Sequence, residues 1–582
     1  MSLNISMEVE PSENVVVGTE LTVKLKRDGQ PFALTEHLAS RIDILPKGVI
    51  EATGNGRYLV VGAGTASLAL TEGNVDAVVS VTAECAAVSA APIQHAGQIS
   101  DEEWTAEEGI HRVEGIVRVN GKLIIGPCAK LEMGPGAALI VGEQPGAQLI
   151  IRGTRENPVV MEGVSRDDGA RAHWQGIRVH VNNADGSMLR WVTLRNADGF
   201  AYGNEERAVI DLVGSHRVYD CVPIVFEGVV VEGCADVGIR LRDIWATVNI
   251  EWRNNRVVGC GGYPISIDAG SLGAIPTGTY EGNAPDEVRC VGGWAGPNYQ
   301  IWRNVGIPYH VEQSIVIAPD FEGIASHVPN ARALGRIYKV VEAGSVFRFE
   351  KATGIFVGQD PMQGISHDPM LHKTRFSVHG TIQHPVRFTS TNACHSLSED
   401  TCGAAPGDWV GIVLMPNVHT RLSQNSYGEG FIYVHEAGNV KDYMTQFRNM
   451  VLEYAGGQSG FKNPDGSDRV GGVIVLVQSD YDGKLPWLVE GSLLRRNRGY
   501  GLVSAVTEIT AGNLLDGARL AGLRTCSCDN ELGPVSLPDD KVGTAATPEP
   551  GTACPCAAQA GGGGTFGDNN NEQADDWPSL EE

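Results

Sequence analysis

Several things are scarce in this chain, and each scarcity excludes a class. No run of 18 apolar residues occurs among its 582 positions, so no segment reads as a membrane-spanning helix. Basic residues are few, 45 Lys+Arg against 70 Asp+Glu for a net charge of −25. Nucleic acid and anionic membranes are held through a basic face, so neither is expected as a partner. The first residues, Met1 to Glu8, lack the basic start and apolar core of a signal peptide. Aromatics stand at only 6%.

Glycine and cysteine, by contrast, are plentiful, with 73 and 12 copies beside an apolar content of 42%. That apolar content excludes a wholly disordered chain, and the glycines point to frequent turns and close backbone approach. An even cysteine count with Cys394 and Cys402 flanking a polar loop, and with Cys526, Cys528, Cys554 and Cys556 in loop-like sequence, suits an oxidising compartment. The expectation is an extracellular, cell-surface or periplasmic protein whose leader has been removed or replaced.

Residues 5–85 carry short alternating runs such as Leu21-Thr22-Val23-Lys24-Leu25, punctuated by Asp28-Gly29 and Gly73-Asn74. Short strands with turn signals every 8–12 residues predict a small β-sandwich. The opening "VEPSENVVVGTELTVKLKRDGQP" and the close "VDAVVSVTAEC" resemble bacterial Ig-like domains of surface proteins, a resemblance that implies a spacer or adhesion module.

An internal repeat follows. "KLIIGPCAKLEMGPGAALIVG" (122–142) aligns without a gap to "YKVVEAGSVFRFEKATGIFVG" (338–358), an offset of 216. Upstream, "GIHRVEGIVRV" lies over "IPYHVEQSIVI" at an offset of 198, with Trp104 over Trp302. Downstream, "GTRENPVVM" matches "GTIQHPVRF" at 227, "HWQGIRV" matches "DWVGIVL" at 235, "MLRWVTLRNA" matches "QFRNMVLEYA" at 258 and "PIVFEGVVVEG" matches "PWLVEGSLLRR" at 263. Each block is a short β-rich run closed by Gly, Asn or Pro, and no amphipathic helix intervenes. Short strands wound into coils, stacked as parallel sheets, fit that pattern.

These blocks resemble the right-handed parallel β-helix proteins of the pectin-lyase-like superfamily. More narrowly, they are similar to bacterial surface β-helix proteins that open with Trp, then Tyr or His before Val, and continue through "G-T-x-x-x-P-V" and "W-x-G-I". The predicted fold is therefore all-β: an internally duplicated right-handed β-helix solenoid behind a small Ig-like β-sandwich. Its divisions are a sandwich at 1–88, a linker and β-helix entry at 89–108, copy one at 109–297, copy two with loop insertions at 298–535, and an acidic Gly/Pro-rich flexible tail at 536–582.

The growing offset maps insertions to copy two alone, near 318–335, 359–379, 390–407, 415–445 and 456–485. Loops on a rigid scaffold are where function concentrates. The second contributes His367, Asp368, His372, Lys373 and Arg375, a titratable rim able to meet an anionic sugar or a metal; its spacing matches no tight zinc signature. The fourth contributes Tyr427, Tyr433, His435 and Glu436, which suit saccharide stacking or packing against the rod. The bland reading of both is solvated or packed loop.

The Asn-Thr-Asp and Gly-His-Gly signatures of polygalacturonase-type hydrolases are absent. The family's lyases pair a Lys or Arg base with Ca²⁺ that neutralises the uronate carboxylate, and Lys373, Arg375 and His372 beside Asp368 would be the residues to serve. Ca²⁺ is the cofactor such chemistry would use; acidic turns such as Asp465-Gly466 and Asp480-Tyr481-Asp482-Gly483 fit tight turns better than full calcium loops. The leading reading is a structural, adhesive or glycan- and partner-binding rod, with a polysaccharide or cell-surface partner; the alternative is a uronate polysaccharide lyase. Cys394 and Cys402 are expected to pair. Cys526, Cys528, Cys554 and Cys556 are expected to pin the tail through two disulfides in preference to holding zinc. Cys234 and Cys260, at matching points of successive coils, read as stacked core thiols.

Overall fold

The computed structural model describes the chain except for residues 1–4, 14, 17–18, 46–48, 55, 61–63, 73–74, 84, 86–90, 165–172, 203–205, 215–223, 245–249, 296–298, 318–336, 358–373, 396–401, 415–444, 458–473, 477–486, 491, 499, 505–525, 529–532 and 537–582. Nearly everything described is β-structure.

The N-terminal region forms two antiparallel sheets over one core. In strand Glu20–Arg27 the inward residues Leu21, Val23 and Leu25 are buried and their neighbours face water. They join Ala66, Leu68 and Leu70 of Gly64–Glu72 in a single apolar cluster. Period-two alternation thus produces a small two-sheet β domain.

Between Ile93 and Ser536 the described residues form a parallel β-helix with three facets per coil. One coil runs through Lys122–Ile125, Lys130–Met133 and Ala138–Val141. Each strand pairs in parallel with its successor one coil on, Gln148–Arg152, Val159–Gly163 and Gly176–His180. Leu123, Ile125, Leu131, Met133, Leu139 and Val141 point inward and are fully buried. Burying such side chains stabilises by roughly 1.5–3 kcal/mol each relative to leaving them exposed. Copy two repeats the coil as Ile337–Glu342, Val346–Phe349 and Gly354–Val357.

The duplication extends to single hydrogen bonds, which explains the repeated motifs. Trp174 donates its indole N–H to the Arg195 carbonyl at 2.8 Å, and Trp409 donates to the Glu453 carbonyl at 2.8 Å. Buried His111 holds the Thr105 carbonyl through Nε2 at 2.8 Å, and buried Tyr309 holds the Arg303 carbonyl through its hydroxyl. This is why His or Tyr follows the Trp: either ring ties the corner that the Trp begins. The glycine of "G-T-x-x-x-P-V" has a steric cause. A Cβ at Gly153 would stand 2.1 Å from the Trp191 carbonyl oxygen, and one at Gly380 the same distance from that of Asn449.

The copies join with a shift of one facet. Val288–Cys290 stacks on Ile265–Ile267, in the third facet of copy one. On its other side it takes Tyr309–Val311, whose counterpart in copy one opens the second facet by pairing with Lys130–Met133. One continuous sheet therefore crosses the seam through three residue pairs, beside a two-residue ladder from Gly293–Trp294 to Ile315–Ile317. On the first facet a 3₁₀ turn, Ala269–Ala274, fills the gap. Trp252 donates to its Ala274 carbonyl at 3.1 Å, and Gln300 to its Gly270 carbonyl at 2.7 Å.

The cysteines require one correction. Cys234 and Cys260 are not free core thiols; they form a disulfide, because successive coils bring their Cα atoms to 4.5 Å. Cys394–Cys402 pairs as expected. A third bridge, Cys85–Cys128, ties the end of the N-terminal domain to a turn of the rod. Cys526 and Cys528 lie in a short strand paired with Leu493–Arg495; their side chains, Cys554, Cys556 and the acidic tail fall outside the described residues. Cys290 is a buried thiol, pushed up to about 12 by burial.

Candidate functional site

His367, Asp368, His372 and Lys373, with Tyr427, Tyr433, His435 and Glu436, lie outside the described residues. Arg375 sits near the start of strand Thr374–His379, and its side chain is likewise not described. What the structure fixes is where the segments carrying them leave and rejoin the rod. Three insertions depart from the third facet, after Ile315–Ile317, Gly354–Val357 and Gly411–Leu414, strands paired with one another in that order. All three return on the first facet, at Ile337–Glu342, Thr374–His379 and Thr445–Arg448, also consecutive partners. Paired strands are about 4.8 Å apart, so the three anchor points stack along one corner of copy two. The loop closed by Cys394–Cys402 stands at a different corner, between Val386–Ser390 and Gly411–Leu414.

A second set of chemically active groups was not anticipated. On the continuous sheet one outward register position carries, coil after coil, Asp211, Arg240, Ser266, Arg289, His310 and Arg348. In copy one Asp211 is fully buried and is met by Arg178 at 2.6 Å, Arg240 at 3.0 Å and Arg242 at 2.9 Å. Burial alone would push this carboxyl up, yet Arg240 and Arg242 hold it below its ordinary range. In copy two Glu453, also fully buried, takes Arg495 at 2.9 Å and the Arg387 guanidinium at 2.8 Å.

At the seam the ladder becomes titratable. The His310 ring is 2.8 Å from Glu350 Oε1 through Nε2, and its Nδ1 lies 2.8 Å from the Tyr263 hydroxyl and 3.4 Å from Glu287 Oε2. Glu287 also pairs with Arg348. Arg289, one rung below, pairs with Glu312 at 2.7 Å and with Glu206. Hydrogen bonding to Glu287 and Glu350 outweighs burial and raises the His310 pKa, while burial and the surrounding glutamates push Tyr263 up to about 12. Four carboxylates thus face two guanidiniums, one imidazole and one neutral phenol. Glu350 is the most open of the carboxylates, at 44%. The arrangement places a titratable imidazole between carboxylates on both sides.

The signal for this cluster lay in the repeat itself. The offsets of 198 and 216 set His310 over Arg112 and Arg348 over Glu132, a change of charge at one register. Another such change is Lys339, which takes the place of core Leu123; it is buried, and burial drives its pKa well below the ordinary range.

Among the described residues no group of three or more His, Cys, Asp and Glu is arranged to hold a metal ion, and no helix is long and apolar enough to cross a membrane. No family model matches the chain. No curated protein matches it either. Among solved structures the chain is similar to the catalytic domain of a GH87 α-1,3-glucanase in complex with tetrasaccharides, at 11% identity over 86% of this chain and 78% of that one, with a TM-score of 0.20. That score is too low to carry any argument about fold or activity.

Proposed function

We propose that this is an extracellular β-helix rod, secreted or held at a cell surface, with a structural, adhesive or glycan- and partner-binding role. The observation that carries the reading is the stacking of three insertion anchors along one corner of copy two. Loops raised from one edge of a stiff solenoid make a binding rim, and the segments there hold His367, Asp368, Tyr427, Tyr433, His435 and Glu436. Three disulfides support an oxidising compartment. The N-terminal β domain serves as an Ig-like spacer, tied to the rod by Cys85–Cys128. An acidic net charge of −25 disfavours nucleic acid.

The second reading is a uronate polysaccharide lyase acting from the same corner, with Lys373, Arg375 and His372 as base candidates and Ca²⁺ as the cofactor. Arg375 favours it, because it lies where its segment rejoins the rod. A glycan array distinguishes the readings when run beside a turnover assay on uronate polymers. Saturable binding without product supports the rod, and unsaturated product supports the lyase.

A further inference from the structure

We propose that the seam between the two copies is a proton-operated joint, in which His310 ties copy two to copy one when charged and releases the tie when neutral.

Among the described residues the seam is the thinnest coil-to-coil contact. Only the three pairs of Val288–Cys290 with Tyr309–Val311 and the two of Gly293–Trp294 with Ile315–Ile317 join copies by described ladders, where a coil-to-coil contact such as Ile337–Glu342 with Thr374–His379 has six. The shift of one facet is the cause, since the first facet is bridged by a 3₁₀ turn and not by a strand. Side chains over this seam therefore hold a larger share of its connection than side chains elsewhere on the rod.

His310 stands on Tyr309–Val311, the strand of copy two that forms that ladder with Val288–Cys290, and its partners come from both sides. Tyr263 and Glu287 belong to copy one; Glu350 belongs to the next coil of copy two. Arg289 and Arg348 occupy the rungs below and above, and Glu312 follows on its own strand. Arg289 is engaged by Glu312 and Glu206, and Arg348 by Glu287, so neither guanidinium confronts the imidazole unneutralised.

Two proton states give two networks. A carboxylate only accepts, so Nε2 keeps its proton toward Glu350 in both. With Nδ1 unprotonated, Tyr263 donates its O–H to that nitrogen, and the ring carries no charge toward Glu287. With Nδ1 protonated, the ring donates toward Glu287, completing an Arg348–Glu287–His310–Glu350 chain that spans the seam, and the Tyr263 hydroxyl can only accept from it. Charge-assisted bonds are the stronger kind. The first network leaves the seam its five backbone pairs, the Arg289–Glu312 and Glu287–Arg348 ion pairs and a neutral hydrogen bond; the second adds a further ionic tie between the copies, from His310 to Glu287.

The sign follows from linkage. A histidine whose folded pKa is raised contributes stability that is fully present below the unfolded value near 6.5 and is lost as pH rises through the folded value. The joint is thus closed in mild acid and loosened in alkali.

Hydrogen exchange on the full chain, corrected for the intrinsic pH dependence of exchange, tests this between about pH 5.5 and 9. Peptides covering Val288–Cys290 and Tyr309–Val311 should lose protection with rising pH, while those covering Val237–Arg242 and Ile265–Ile267 hold theirs. In His310→Gln, which keeps a hydrogen-bonding side chain without the charge, the seam's pH dependence should vanish; in exposed His384→Gln it should persist. Glu287→Gln, which removes one counter-charge and leaves His310 in place, should move the midpoint of the loss to lower pH. Seam protection that is flat with pH in the wild type, or that falls equally in His310→Gln, would overturn the proposal.

Discussion

Trp174 and Trp409, 235 positions apart in the sequence, make the same bond in different coils: each indole N–H reaches a strand-end carbonyl at 2.8 Å, that of Arg195 in one copy and of Glu453 in the other. Both rings are fully buried. Replacing either by Phe keeps most of the packing and leaves a carbonyl without its donor, which costs about 1–3 kcal/mol. Urea unfolding of Trp174→Phe and Trp409→Phe should show comparable losses, because the two sites are copies of one device.

Gly153→Ala and Gly380→Ala should be worse than an ordinary glycine substitution. Their new methyl groups would meet backbone oxygen at 2.1 Å, and backbone cannot turn aside as a side chain can. Thermal melts should fall for both, whereas Gly115→Ala, whose new methyl group meets no atom within 4 Å, is strained only by its positive φ of 73° and should fall less.

Asp211 is held by three guanidiniums at full burial. Asp211→Asn keeps the shape and removes the charge that Arg178, Arg240 and Arg242 share, leaving Arg240, which is itself 2% exposed, the more distant Glu206 carboxylate at 3.9 Å, so a loss of about 3 kcal/mol is expected at neutral pH. The folded carboxyl sits below its ordinary range. Its contribution is therefore present above the unfolded pKa near 4 and disappears as pH falls through the folded value. Acid titration of stability should bring wild type and Asp211→Asn together at the lowest pH.

Peptide mapping of the unreduced protein should recover Cys85–Cys128, Cys234–Cys260 and Cys394–Cys402 as linked pairs. Cys290 should resist alkylation until the chain unfolds, since it is buried and its thiol is held protonated. Reaction of every cysteine in the native, unreduced protein would contradict both the pairing and the oxidising compartment.

The β-helix was legible because its determinants are local and appear twice: turn glycines, inward Leu and Ile at alternate positions, and a Trp with its His or Tyr partner. The N-terminal domain was legible from alternation alone. The disulfide Cys85–Cys128 was not, since it joins residues of two different structural units across 43 positions. Cys234–Cys260 was visible as a matched position in successive coils but not as a bond, because sequence gives the register and not the closeness of approach. The cluster around His310 escaped for a third reason. Tyr263 and Glu287 reach it only because copy two begins one facet over from where copy one leaves off, and nothing in either copy's own pattern encodes that shift. Lys373, His372 and the tyrosines of the fourth insertion stand out by composition alone, and the structure contributes only the corner at which their segments are anchored.

The central claim is that this rod binds at that corner and does not turn its ligand over. The direct measurement is to incubate the full chain with uronate polymers, with and without Ca²⁺, while following the absorbance of unsaturated products, and to measure retention of the same polymers on the immobilised protein. The account predicts retention that weakens in a Tyr427→Ala, Tyr433→Ala double variant, with no rise in absorbance. A rise in absorbance that Lys373→Ala or His372→Ala abolishes would contradict it and establish the lyase reading instead.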